Sequence, residues 1–417
     1  MRSIASDLDA FVAQRESEWR LLLQSLVQYR SVFEEEHGVI EFVSERLVRL
    51  GLEAVRVPHT RARLQTLPSS QPPFSDVPGR CSLVVRLPGR GGGRSLAFNT
   101  HLDIVPEGDR SQWTHPPFAG DVEGGVVYGR GAMDDKAGVA IALAVLETMT
   151  RMRVPLKGDL VFHFVLEDET TGNGTLLCLD AGHVADAAII IDGTRADRAI
   201  DAHAGQLAFS IEVTGRPASV SVSHMGINAA DVLARLVARL SDEVTALNET
   251  RLPPWTQFPS PFQLVTMSLS AHGSALTVPD RAAAECYMTF PPPWTLAIAR
   301  DFLHQTTTAF ARERGLAVPP VLRFDRFSAE PVSSSSSSLS ECLAAAVAAE
   351  GIGPVVVGPS TGTSDLRHFA DAGIPCVLYG PGAGFNPHRH DEHYRLEDLG
   401  RMVKVFVATA QGVCGSL

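Results

Sequence analysis

His101 and Asp103 close an apolar run, SLAFNTHLD, at residues 95–103. Four more stations follow: Asp134 in GRGAMDDKAG, the triplet Glu167-Asp168-Glu169, Asp192 behind AAIII, and His388 in a late loop. Imidazole nitrogens and carboxylates suit a zinc-like ion, and one carboxylate can be shared by two such ions. The apolar run reads as a buried parallel strand, and open α/β sheets place their chemistry at the carboxyl ends of such strands. The expectation is a metal-dependent hydrolase acting on an amide bond.

Each station has its own logic. In an extended segment side chains recur with period two, so His101 and Asp103 share a side. A carboxylate there can accept from the second imidazole nitrogen and fix the ligand tautomer. Asp134 follows a glycine turn and opens a helix, whose amino end favours a carboxylate. Asp135 can cap that helix while Asp134, offering two oxygens, bridges the metals. Three adjacent acids at 167–169 repel one another unless a cation compensates. Neighbouring residues point in different directions, so one can ligate while another serves as general base. Asp192 ends a strand and is a further ligand, or a turn-initiating aspartate before glycine. His388 shares its loop with His390 and His393, and the residue types alone do not choose among them.

Elements that would position these groups can be read from periodicity. Amphipathic helices are expected over 11–29 and 38–50, and strands over 52–58, 81–87, 95–99, 159–166 and 185–191. The strands at 81–87 and 95–99 read as a pair around the Gly-rich turn GRGGGR. A helix is expected at 134–149, giving a mostly parallel sheet with helices on both faces. From residue 205 the pattern becomes βαββαβ: strand 207–215, helix 228–248, strands 262–270 and 281–290, helix 296–315 and strand 321–327. That is a ferredoxin-like unit inserted into the first domain. The serine run 333–338 is either a flexible return linker or a loop whose serine caps the next helix. Helix 341–350, strand 374–379 and helix 396–409 complete the sheet domain. The division is 1–204 and 330–417 for the sheet domain, and 205–329 for the insertion.

With 417 residues the chain exceeds one ordinary core. Its formal charge of −11 argues against a nucleic-acid partner. No segment reaches the length of a membrane span. The opening MRSIASDLDAFVAQRESEW is too acidic and polar for a signal peptide. Six scattered cysteines without a CxxC pair suit reduced thiols, so a cytoplasmic protein is expected.

Several ordered segments together resemble the M20 metallopeptidase family, which includes acetylornithine deacetylase, succinyl-diaminopimelate desuccinylase and aminoacylases. They are NTHLDIVPEGD, the W-x-x-x-P-F stretch before YGRGAMDDKAG, EDETTGNGT, IIIDGT, and GTSDLRHFADAGIPCVLYGPG followed by H-x-x-D-E. The resemblance implies an α/β di-zinc hydrolase sheet domain interrupted by a ferredoxin-like lid. It implies His101, Asp134, Glu169, Asp192 and His388 as ligands of two zinc ions, replaceable by cobalt or manganese, with Asp134 bridging. Asp103 would orient His101, and Asp168 would be the general base, one methylene shorter than the family's glutamate. In the lid, Ser219 of GRPASVSVSHMGINAA stands where the family has an oxyanion-stabilising histidine; His224, five residues on, could substitute. The implied substrates are small N-acyl amino acids or related amines. The alternatives are dipeptides or carboxypeptidase substrates, with Arg367 or Arg281 as carboxylate clamp, or a metal-binding homologue without turnover. A lid-to-lid homodimer is also implied.

Overall fold

A computed structural model describes residues 4–382, 384 and 386–415. The chain divides into two compact units. The larger comprises the chain up to Asp201 with Ser334–Gly358 and everything from Ser364 onward. The smaller comprises Ala202–Ser333 with Pro359–Thr363.

In the larger unit four strands run parallel, in the order Leu160–Val165, Leu96–His101, Ala188–Ile190, Cys376–Leu378. Cys81–Leu87 and then Val55–Pro58 extend one side antiparallel, and Arg198–His203 extends the other. Period-two alternation assigns the faces. Leu96, Phe98, Phe162, Phe164, Ile189, Ile191, Val377 and Tyr379 belong to the main core, shared with helices Ile4–Val27, Lys136–Arg151 and Leu396–Cys414. The intervening residues meet helices Asn173–Asp180 and Leu366–Asp371: Asn99 donates to Thr175 Oγ1 at 2.8 Å, and His163 stacks on Phe369. The helix Lys136–Arg151 is buried along almost its whole length because it lies between the sheet and two other helices. Helices therefore cover both faces, as the alternation of strands and helices predicts.

The expected pairing of 81–87 with 95–99 does not occur. Leu160–Val165 lies between them, antiparallel to one and parallel to the other. The glycines of the intervening run serve close approach instead of a hairpin. A Cβ on Gly89 would lie 2.4 Å from the Gly158 carbonyl oxygen, and one on Gly93 would lie 2.2 Å from that of Cys414. The loop's N–H groups at Arg90 and Gly91 donate to Leu156 and Lys157, at the entrance of the inserted strand. The serine run is likewise built in. Ser334 Oγ accepts the N–H of Cys376 at 2.7 Å, and Ser336 precedes the helix Ser337–Ala349 without a side-chain cap bond.

The smaller unit is an antiparallel sheet in the order Gln263–His272, Arg281–Phe290, Gly205–Thr214, Val321–Arg323. Helices Ala229–Ala246 and Leu296–Glu313 complete the βαββαβ order. Leu207, Phe209, Ile211 and Val213, at period two, meet Leu233, Leu236 and Leu240, at helical spacing, in its core.

Candidate metal centre

Parallel register puts the carboxyl ends of the strands at one edge of the sheet. His101 pairs with Val165, and Asn99 with Ile190, so the segments after Val165 and Ile190 emerge beside His101. Asp168 and Glu169 follow the first, and Asp192 follows the second. Asp134 arrives from the turn before Lys136–Arg151, whose amino end is capped by Asp135 accepting the N–H of Gly138 at 3.1 Å. Thr100 Oγ1 also donates to Asp135, so this carboxylate is turned away from the cluster and Asp134 is left free for it.

Asp134 has a different histidine on each oxygen. His101 Nε2 lies 2.9 Å from Oδ1, and His388 Nε2 lies 3.4 Å from Oδ2. Each histidine has a further acid: Asp192 at 3.9 Å from His101, and Glu169 at 3.0 Å from His388. Donor atoms of His101, Asp134 and Glu169 lie mutually within 4.8 Å, as do those of His101, Asp168 and Asp192. The structure thus brings together His101, Asp134, Asp168, Glu169, Asp192 and His388.

Asp103 does more than the sequence predicts, and partly by another atom. His101 Nδ1 lies 3.0 Å from the Asp103 backbone carbonyl and 3.6 Å from its carboxylate. A carbonyl oxygen can only accept, so Nδ1 carries the proton and Nε2 is presented to the acids. Asp103 Oδ2 accepts the N–H of Glu169 at 3.2 Å, so one residue, by its backbone and its side chain, steadies groups at two stations.

The electrostatics call for a cation. Burial pushes the Glu169 carboxyl up to about 7, with the charge of Asp134 adding to it. Burial, and then Asp365, raise Asp168 well above the usual carboxylate range. Burial opposes charge on His101, but Asp103, Asp134 and Asp192 outweigh it and hold its pKa high. Hydrogen bonds to Asp134 and Glu169 raise His388 to about 11. Acids crowded closely enough to raise both histidines fit a pair of divalent ions, whose charge would compensate theirs. Nitrogen and oxygen donors in this mixture match a zinc-like preference.

Glu167, the first acid of the triplet, belongs elsewhere. It is buried and accepts from Arg80 Nη1 at 2.7 Å, Thr171 Oγ1 at 2.5 Å and Asn173 Nδ2 at 3.2 Å, with His59 Nδ1 at 3.2 Å. Burial opposes its charge, yet His59 and Arg80 hold its carboxyl at about 2. Its backbone is left-handed, φ +73°, and its carbonyl accepts three successive N–H groups, those of Thr170, Thr171 and Gly172. This turn carries the chain round so that Asp168 and Glu169 face the histidines. Asp168 Oδ1 in turn accepts the N–H of Asp365 at 3.3 Å.

Within the larger unit, Arg367, His390 and His393 have other partners. Arg367 is buried, with its terminal nitrogens on the carbonyls of Ser364 and Thr171. His390 is exposed and turned edge-on to Trp113, and His393 Nδ1 lies 2.9 Å from the Asp391 carbonyl. In the smaller unit, His224 is exposed on the turn Val220–Met225, and Ser219 Oγ pairs with Ser221 Oγ at 2.9 Å. Arg281 there donates to Thr214 Oγ1 at 2.9 Å. Arg80 and Glu36, which support the cluster, escape the sequence reading, whereas Asp365 and Glu392 lie in its GTSDLRH and H-x-x-D-E segments without a role of their own.

Residues 97–412 match the family model described as peptidase family M20/M25/M40. A succinyl-diaminopimelate desuccinylase of Methylorubrum extorquens is 29% identical over 397 residues, 92% of this chain and 96% of the relative. Human carnosine dipeptidase 1 shares the fold at TM-score 0.78 and 13% identity, over 99% of each chain. So does a Bacillus subtilis protein described as a dinuclear metal-binding peptidase of the M20 family, at TM-score 0.68 and 15% identity, covering 97% of this chain and all of the other.

Proposed function

Because the chain belongs to peptidase family M20/M25/M40, we propose that it hydrolyses the amide bond of small N-acylated amino acids or related amines, using two zinc ions. One observation carries this reading: the two oxygens of Asp134 face two different histidines, each with its own second acid. That is a pair of ligand sets, His101–Asp192 and His388–Glu169, sharing one carboxylate. The donor set suits zinc, with cobalt or manganese as substitutes. When bound, the ions would polarise the scissile carbonyl and acidify the attacking water.

The chain's own groups do the rest. Asp168 takes the proton of the attacking water and delivers it to the leaving amine. Its Oδ1 is held by the Asp365 N–H, which fixes the carboxylate for that exchange. Glu167, saturated by buried donors, has no share in it. Asp103 holds the His101 ring and the Glu169 backbone. The donor to the developing oxyanion is assigned to His224, since Ser219 is shorter and uncharged. The desuccinylase relative supports acylated amines over dipeptides as substrates.

The assay is metal-loaded protein against N-acetyl, N-formyl and N-succinyl amino acids beside dipeptides. Turnover of an acyl amino acid is expected. Turnover of dipeptides alone would transfer the reading to a dipeptidase, and turnover of neither would leave a metal-binding homologue.

The protein is further proposed to be a homodimer. The strand Gln263–His272 forms one edge of the smaller unit's sheet and exposes Val265, Met267 and Leu269. An open apolar edge of ten residues invites pairing with a second copy. Among the described residues no helix is long and apolar enough to cross a membrane. All six cysteines are free, which supports a reducing, cytoplasmic setting.

A further inference from the structure

We propose that Glu392 is a positioning residue that locks the bridging carboxylate and the His388 loop into one geometry; this rests on the two-metal reading above. Glu392 is fully buried. Its Oε1 accepts the backbone N–H of Met133 at 3.0 Å and of Asp134 at 3.1 Å. Its Oε2 accepts from Arg130 Nη1 at 2.5 Å, and its carbonyl accepts the N–H of Gly129 at 2.8 Å. A carboxylate so filled is neither a metal ligand nor a base. What it does is fix the backbone from which the Asp134 side chain springs.

The same residue lies four positions after His388. Between them the chain is held in an unfavourable conformation: His388 has φ +62° and Asp391 φ +53°, both left-handed and neither glycine. Such a loop keeps its shape only if its surroundings dictate it. Asp391 Oδ1 ties it to the N–H groups of Thr114 and His115, at 2.8 and 3.2 Å. Glu392 ties it to Met133 and Asp134. Arg130 is itself braced, lying 5.2 Å from the centroid of the Trp113 ring. One ligand's loop is therefore fastened directly to the backbone of the ligand shared by both ions, and moving Glu392 moves both.

The test is cobalt(II) titration of metal-free protein, followed by visible absorption and by elemental stoichiometry. Wild type should fill two sites. E392Q keeps the side-chain volume but replaces one acceptor by an N–H donor. E392D keeps the charge but withdraws it by one methylene. In both, at least one ion should bind about tenfold or more weakly, and the cobalt bands should change, with far-ultraviolet circular dichroism unaltered. A residue that merely stabilises the fold would lower the melting temperature of metal-free protein and leave cobalt affinity and spectrum at wild-type values; that result overturns the proposal. Hydrogen exchange of metal-free wild type supplies an arm independent of variant folding. The amides of Met133 and Asp134 should be protected, and exchange as fast as in an open loop overturns the proposal equally. Wild type taking up fewer than two ions defeats the two-metal reading, and this inference with it, before any variant is compared.

Discussion

The carboxylate of Glu167 lies 2.7 Å from the guanidinium of Arg80, 87 positions earlier in the chain, and both side chains are buried. Arg80 is held on its other side by Glu36. Arg80 keeps Glu36 when Glu167 is neutralised, but the buried donors Arg80, Thr171 and Asn173 lose a charged acceptor, and each such charged hydrogen bond is worth about 1.5–3 kcal/mol. E167Q should therefore lower unfolding stability by several kcal/mol in a denaturant titration. Unaltered stability together with lost turnover would transfer the role of base to Glu167.

Asp168 gives the opposite pattern. D168N should retain both metals and full stability while turnover falls by about 10²–10⁴. Metal analysis of the variant decides a second point. An oxygen of Asp168 lies within 4.8 Å of donor atoms of His101 and Asp192, so loss of an ion in D168N would make it a ligand and not a base.

Apart from His388 in its loop, the stations of the centre are legible in the sequence because each follows an apolar strand or opens a helix, and parallel strands align their ends without further information. The inserted βαββαβ unit is legible for a similar reason: its strands alternate at period two and its helices at 3.6. What stays hidden is pairing at long range. Nothing local places Leu160–Val165 between Cys81–Leu87 and Leu96–His101. Nor does any local pattern join Arg80 to Glu36 and Glu167, or Glu392 to Asp134, since these partners are brought together only by the closed fold. Glu167 is the instructive case. As one of three adjacent acids it looks like a member of the centre, but its left-handed backbone sends it into the core and its neighbours outward.

His163 sets an acid limit on stability. Burial, followed by the charges of His183 and Arg86, pulls its imidazole down to about 3. The ring is neutral in the folded protein, while in the unfolded chain it titrates near ~6.5. Below that value the unfolded state binds more protons, so stability falls as pH drops from about 6.5 toward about 3, by up to ~1.4 kcal/mol per unit. H163L should flatten this slope in denaturant titrations at pH 7, 6 and 5. Identical slopes in wild type and variant would remove His163 from the account.

For the smaller unit, H224A should lower turnover sharply with metal content intact, because losing one oxyanion donor costs about 3–4 kcal/mol. S219H should then add little. A silent H224A with a faster S219H would assign the donor's place to position 219.

Dimer formation is read from molar mass. Light scattering at working concentration should give twice the chain's 44.7 kDa, and a charge introduced by M267K on the exposed edge strand should reduce it to one chain. A single-chain mass in the wild type would refute the assembly.

Metal stoichiometry measures most directly whether one carboxylate is shared by two ions. After loading with zinc and removal of excess, elemental analysis of wild type should give two ions per chain. D134N should hold at most one, and weakly, although His101, Asp192, His388 and Glu169 are all still present. A wild type saturating at one ion, or a D134N variant that keeps two as firmly as wild type, would contradict that sharing.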